Sequence, residues 1–138
     1  MSRNFEGGCH CGAVRYTCTQ DPEYTFYCHW YDCQRTTGTP VSMELMVVRD
    51  AIDFRGAMEK YVVTGDSGKP VNRWFCGTCG TGIYLDGDAE PESIFLKVGS
   101  LDDASWVVPQ MHIYTAAKQP WIQINDGLPQ FAKLPPDE

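Results

Sequence analysis

The chain has 138 residues, a length that suits one domain with its own core. Its net charge of −7 and pI near 4.8 disfavour general binding to a phosphate backbone, and no Lys/Arg run marks a basic patch. No apolar run approaches the ~20 residues of a membrane helix, and Met1-Ser2-Arg3-Asn4 opens no apolar signal region.

Short β segments broken by Gly, Pro, Asp and Asn follow one another along the chain. Residues 13–19 alternate, with Val14, Tyr16 and Cys18 on one face, and predict a half-buried strand. A second, aromatic strand spans 24–28. Asp32 can cap a helical turn over 33–36, which Gly38 ends. Strands are predicted over 40–48 and 51–54. Two more, 60–64 and 72–76, flank the loop tip Gly65-Asp66-Ser67-Gly68-Lys69-Pro70. Strands over 82–85 and 93–98 are separated by an acidic loop, 86–92. That loop resembles a calcium loop in composition only, lacks the ligand spacing, and reads as solvated. One helical turn fits 101–106, and a last strand 111–115. The many short strands predict a mainly β sandwich or barrel-like fold. The whole chain, 1–138, reads as one domain, with 126–138 an irregular tail.

Seven cysteines without a secretory signal favour thiols and metal ligands in a reducing compartment, hence the cytoplasm. Cys9 and Cys11 form a C-x-C pair, and Cys76 and Cys79 a C-x-x-C pair. Two close pairs far apart in sequence predict one tetrahedral four-thiolate zinc site, structural because no coordination position stays open. The other reading, disulfides or free thiols, is disfavoured because C-x-C is poor disulfide geometry. The ion would staple distant turns, so its binding energy would also be folding energy.

The second cluster is Cys28-His29-Trp30-Tyr31-Asp32-Cys33-Gln34-Arg35-Thr36-Thr37-Gly38. Gly8-Cys9-His10-Cys11-Gly12-Ala13-Val14, this cluster, Phe75-Cys76-Gly77-Thr78-Cys79-Gly80-Thr81, and Pro109-Gln110-Met111-His112-Ile113-Tyr114 to Lys118 and Trp121 come in one order. In these runs, over roughly residues 5–125, the chain resembles the glutathione-dependent formaldehyde-activating enzyme family, which also includes centromere protein V. The resemblance implies a β-tent of small antiparallel sheets and a structural zinc on Cys9, Cys11, Cys76 and Cys79. It also implies a catalytic zinc held by three thiolates of a C-H-C-x-x-C motif. The implied activity is carbon–sulfur bond chemistry, glutathione adding to formaldehyde to give S-hydroxymethylglutathione.

The chain departs from that motif at Trp30, whose indole offers an N–H and no metal lone pair. Cys28 and Cys33 remain, and two thiolates make an incomplete catalytic zinc site, so one zinc per chain is expected. His29, Asp32 and His112 are candidate replacement ligands. Three outcomes stay open: a functional second zinc, a metal-free pocket that binds a small molecule, and loss of chemistry. The candidate active-site residues are Cys28, Cys33, Trp30, His112 and Arg35, the last as a partner for a carboxylate such as that of glutathione. Cys18 reads as a buried core thiol, and His10 as a residue beside the zinc or at the surface. Expected partners are a small molecule, glutathione or another thiol or aldehyde, and neither nucleic acid nor membrane. A carbon–sulfur lyase is one functional reading, and a non-catalytic zinc-stapled binding domain the other.

Overall fold

A computed structural model describes residues 4–136 of the chain. Ten strands and one short helix make the fold: β1 (Phe5–Gly8), β2 (Arg15–Cys18), β3 (Tyr24–Cys28), α1 (Tyr31–Thr37), β4 (Ser42–Val48), β5 (Ile52–Arg55), β6 (Met58–Thr64), β7 (Pro70–Cys76), β8 (Gly82–Gly87), β9 (Ser93–Lys97) and β10 (Met111–Ile113). Strands β1, β2 and β5 form a three-stranded antiparallel sheet. The other seven form a sheet of order β10-β3-β4-β9-β8-β7-β6, antiparallel except where β10 runs parallel to β3. The expected mainly β architecture of antiparallel sheets is present, but the larger sheet is mixed.

Alternation sets the core. Val14, Tyr16 and Cys18 point inward and are almost wholly buried, as their spacing predicts. They meet Leu45, Val47, Ile83, Ile94 and Leu96 from the large sheet. A smaller cluster of Phe26, Cys28, Cys33 and Ile113, flanked by Trp30, Tyr114 and Phe131, lies at the β10–β3 end.

Three differences from the sequence reading have physical causes. Phe5–Gly8 forms β1, ahead of the first strand that the sequence predicts, at 13–19. Gly7 is required there by close approach, since a Cβ would stand 2.3 Å from the Tyr16 hydroxyl. Residues 101–106 form no helix; the turn falls one step earlier, a 3₁₀ turn at Val98–Ser100. The described part of the tail, 126–136, is tied down by hydrogen bonds. Phe131 N–H donates to the His112 carbonyl at 2.9 Å, and Tyr114 N–H to the Lys133 carbonyl at 2.9 Å. Residues 137 and 138 of the predicted tail lie outside the described residues.

The acidic stretch also differs. β8 runs on through Asp86, which is buried rather than solvated. Its carboxylate accepts from Arg49 Nη2 at 2.6 Å, Trp74 Nε1 at 3.0 Å and Asn72 Nδ2 at 3.1 Å. Burial pushes the Asp86 pKa up, but these hydrogen bonds outweigh it and hold the carboxyl below its ordinary value. A depressed carboxylate contributes stability above its unfolded pKa and loses it as pH falls through the folded one. Asp86→Ala strands three donors and is expected to cost about 2–3 kcal/mol. In a thermal melt near neutral pH that is a fall of about 10 °C. A melting point unchanged within about 2 °C would show that the three donors find water instead.

Candidate metal centre and buried thiol site

Cys9 and Cys11 sit on the turn after β1, and Cys76 ends β7, with Cys79 on the turn that follows. The four sulfurs lie within 4.8 Å of one another. Four thiolates about 2.3 Å from one tetrahedral ion stand about 3.8 Å apart. The Cys9–Cys11 and Cys11–Cys76 sulfur distances are 3.6 and 3.8 Å. Backbone N–H groups also point at the sulfurs, Val14 to Cys9 at 3.2 Å and Thr78 to Cys76 at 3.4 Å. Such donors stabilise thiolate charge and orient ligands around an ion. The donor set and its spacing therefore fit a metal. The sequence pairing of these four residues is reproduced in space, joining the turn after β1 to the turn after β7. His10 is exposed, and only its backbone N–H reaches across, to Thr81 Oγ1 at 3.1 Å.

The second cluster forms where α1 lies over the large sheet. Cys28 ends β3 and Cys33 lies in the middle of α1; each is 4% exposed. Cys33 faces the sheet because Thr36 and Thr37, one helical turn on, do too. Arg73 Nη1 donates to Thr36 Oγ1 at 3.1 Å, and Lys97 Nζ to Thr37 Oγ1 at 3.3 Å. Arg73 Nη2 also reaches Cys33 Sγ at 3.7 Å. The hydrogen bond from Cys28 holds the Cys33 thiol below the ordinary range, helped by the Arg73 and Lys97 charges against burial and Glu44. Cys28 is raised, first because its proton is shared with Cys33 and next by burial.

The third member of the cluster is one that sequence reading missed. Glu44, 1% exposed, brings a carboxylate oxygen within 4.8 Å of both sulfurs. The signal for it is strand alternation. β4 pairs Ser42 with Cys28 and Glu44 with Phe26, so Ser42, Glu44 and Cys28 share one face. Without the register, Glu44 reads as one polar residue in a strand.

The same alternation separates the predicted histidines from the thiols. His29 follows Cys28 by one residue and turns to the opposite face. His112 pairs with Tyr27 across β10–β3 and stacks on its ring, at a centroid distance of 4.7 Å. His29 Nε2 and His112 Nδ1 are 2.9 Å apart, and His112 Nε2 is 2.8 Å from Asp126 Oδ2. This Asp126–His112–His29 chain is one network and the thiol cluster another. His29, Asp32 and His112, the sequence-based candidates for the missing ligand, are not members of the donor cluster. Trp30 is the N-cap residue of α1 and packs on Tyr114, ring centroids 5.0 Å apart.

Arg35 is also separated from Cys33. With Tyr31, Gln34, Gly38, Thr39, Pro40, Gln119 and Trp121 it lines an open groove of about 510 Å³ on the outer side of α1. Its charge and the 66% exposed Trp121 face that groove rather than the sulfurs.

A mainly β fold that brings two cysteine turns together into one metal-compatible cluster defines the class. The profile of the family described as glutathione-dependent formaldehyde-activating enzyme matches residues 4–117, and the chain belongs to that family. A Halomonas elongata protein, provisionally named a glutathione-dependent formaldehyde-activating enzyme, is 26% identical over 127 residues, which cover 88% of this chain and 81% of that protein. A crystal structure of a Rhodobacter sphaeroides protein from structural genomics shares the fold at a TM-score of 0.55 and 20% identity, over 91% of this chain and 98% of that one. Among the described residues, no helix is long and apolar enough to cross a membrane.

Proposed function

We propose that the protein is a carbon–sulfur lyase or related enzyme acting on thiol–aldehyde adducts of the S-hydroxymethylglutathione type. The observation that carries this reading is the Cys28–Cys33 pair. It is two buried thiols, one drawn toward its thiolate with Arg73 beside it, inside a chain of this family. In the synthetic direction a substrate thiol adds to an aldehyde. One S–C bond forms, the carbonyl π bond breaks, and the thiol proton ends on the new hydroxyl oxygen. Lyase turnover is the reverse. The buried Arg73 and the half-buried Lys97 would stabilise the negative charge that passes from sulfur to oxygen.

The four-cysteine cluster would hold zinc, the ion whose thiolate preference and tetrahedral geometry its spacing suits. When bound, the ion supplies no reaction step; it closes the two turns on each other. The chain works as one domain in the reducing cytoplasm, on a small molecule, with neither nucleic acid nor membrane as partner.

The test is exchange NMR of glutathione, formaldehyde and S-hydroxymethylglutathione with and without the protein. The expected result is faster exchange, lost in Cys33→Ser. A second reading has its own support, because the open groove holding Arg35 and Trp121 lies away from the sulfurs. In it the protein is a zinc-stapled binding domain. Unchanged exchange with saturable ligand binding abolished by Arg35→Ala would establish that reading and overturn the first.

A further inference from the structure

The carboxylate beside the two thiols has a consequence for metal content. We propose that Cys28, Cys33 and Glu44 form a second site for a divalent ion of the zinc class, with a fourth coordination position left open. The three donors come from β3, α1 and β4, and their ligand atoms lie within 4.8 Å of one another. A tetrahedral ion about 2.3 Å from two sulfurs and about 2.0–2.2 Å from one carboxylate oxygen places its donors about 3.6–3.8 Å apart, which lies inside that bound. Trp30, between the two cysteines, supplies no donor atom and packs on Tyr114 instead.

Burial and charge support the assignment. Glu44 is 1% exposed and the cysteines 4% each, so three acidic groups share a space with almost no water. Two thiolates and a carboxylate carry three negative charges. Lys97, 3.3 Å from Glu44 Oε2, and Arg73, 3.7 Å from Cys33 Sγ, return two. Such a buried set is balanced either by a proton kept on one thiol or by a divalent ion at its centre. The site then carries one surplus positive charge, which suits an anionic fourth ligand such as hydroxide or a thiolate. Lys97 and Arg73 hold two of the three donors from outside, as groups around a metal commonly do.

The open position has a polar neighbour. Ser42 Oγ is buried without a hydrogen-bond partner, as is Arg73 Nε. Ser42 is directly opposite Cys28 and two residues from Glu44, on the same face. An unpartnered hydroxyl there suits a water or substrate oxygen bound to the ion. The sulfur and oxygen donors favour zinc, or cobalt as its spectroscopic substitute, over magnesium and calcium, which take oxygen alone.

This proposal does not rest on the reaction assigned above, because metal is counted with no substrate present. The full chain is purified in reducing buffer with zinc, and bound zinc is measured by plasma mass spectrometry. Two ions per chain are expected for the wild type and one for Glu44→Ala and Cys33→Ala, the remaining ion being that of the four-cysteine cluster. Wild type with one ion, or Glu44→Ala with two, overturns the proposal. Should Glu44→Ala fail to fold, Glu44→Cys decides, since a thiolate can replace the carboxylate. Two ions, with stronger sulfur-to-cobalt absorption than wild type after cobalt exchange, support the site. A single ion in that variant refutes it.

Discussion

Cys76→Ala is expected to lose the ion of the four-cysteine cluster and most of the fold's stability with it. Cys76 is buried at the end of β7, and its sulfur lies 3.8 Å from that of Cys11 on the turn after β1. Apart from this cluster, the small sheet is joined to the body by core packing and by polar links such as Tyr16 to Ser100 at 2.7 Å, the Arg15–Asp102 ion pair and the Gly7–Leu101 bridge. Structural zinc contributes apparent binding energies of about 10–16 kcal/mol in small peptides. Whole domains are stable by about 5–15 kcal/mol. Even a fraction of the zinc term therefore decides whether the chain folds at all. The melting point should fall by at least about 15 °C, or the soluble yield should collapse, and bound zinc should drop by one ion. Cys18→Ala is the control. Cys18 is 1% exposed in the same core but sits apart from the cluster, so it should cost about 1 kcal/mol and no metal. Equal losses in both variants would mean that Cys76 acts as a packed thiol and the metal is dispensable.

Cys33→Ser is expected to bring thiol–aldehyde turnover to the uncatalysed rate while the fold survives. The two side chains differ by one atom, but a serine hydroxyl does not ionise near neutral pH, nor does it hold a soft ion. The thiol of Cys33 is drawn down by Cys28, Arg73 and Lys97, an arrangement with no use for a hydroxyl. A loss of two orders of magnitude corresponds to about 2.7 kcal/mol in the barrier. The melting point should stay within about 5 °C of wild type, since α1 keeps its threonine contacts to Arg73 and Lys97. Turnover is read by the same exchange measurement, with Cys18→Ala expected to behave as wild type. Full activity in Cys33→Ser would move the chemistry away from the thiol pair.

What the sequence by itself determined is local or carried by spacing. The alternation of Val14, Tyr16 and Cys18 names an inward face, and those three are buried. Gly38 ends α1 in the left-handed conformation at φ 74°, as a C-terminal glycine should. The two cysteine pairs announce their partnership because metal-ligand spacing is short-range information repeated twice. The tertiary structure decided everything that depends on register. Glu44 joins the donor cluster only because β4 pairs Ser42 with Cys28, and a slip of one residue would turn its carboxylate to the other face. His29 and His112 left the thiol cluster for the same reason, since neighbouring residues on a strand point to opposite sides. Arg35 and Cys33, two positions apart on α1, ended on different faces because two helical steps are more than half a turn. No local pattern encodes which strand lies beside which. That choice is made by the whole core at once, and the donors around Cys28 follow from it.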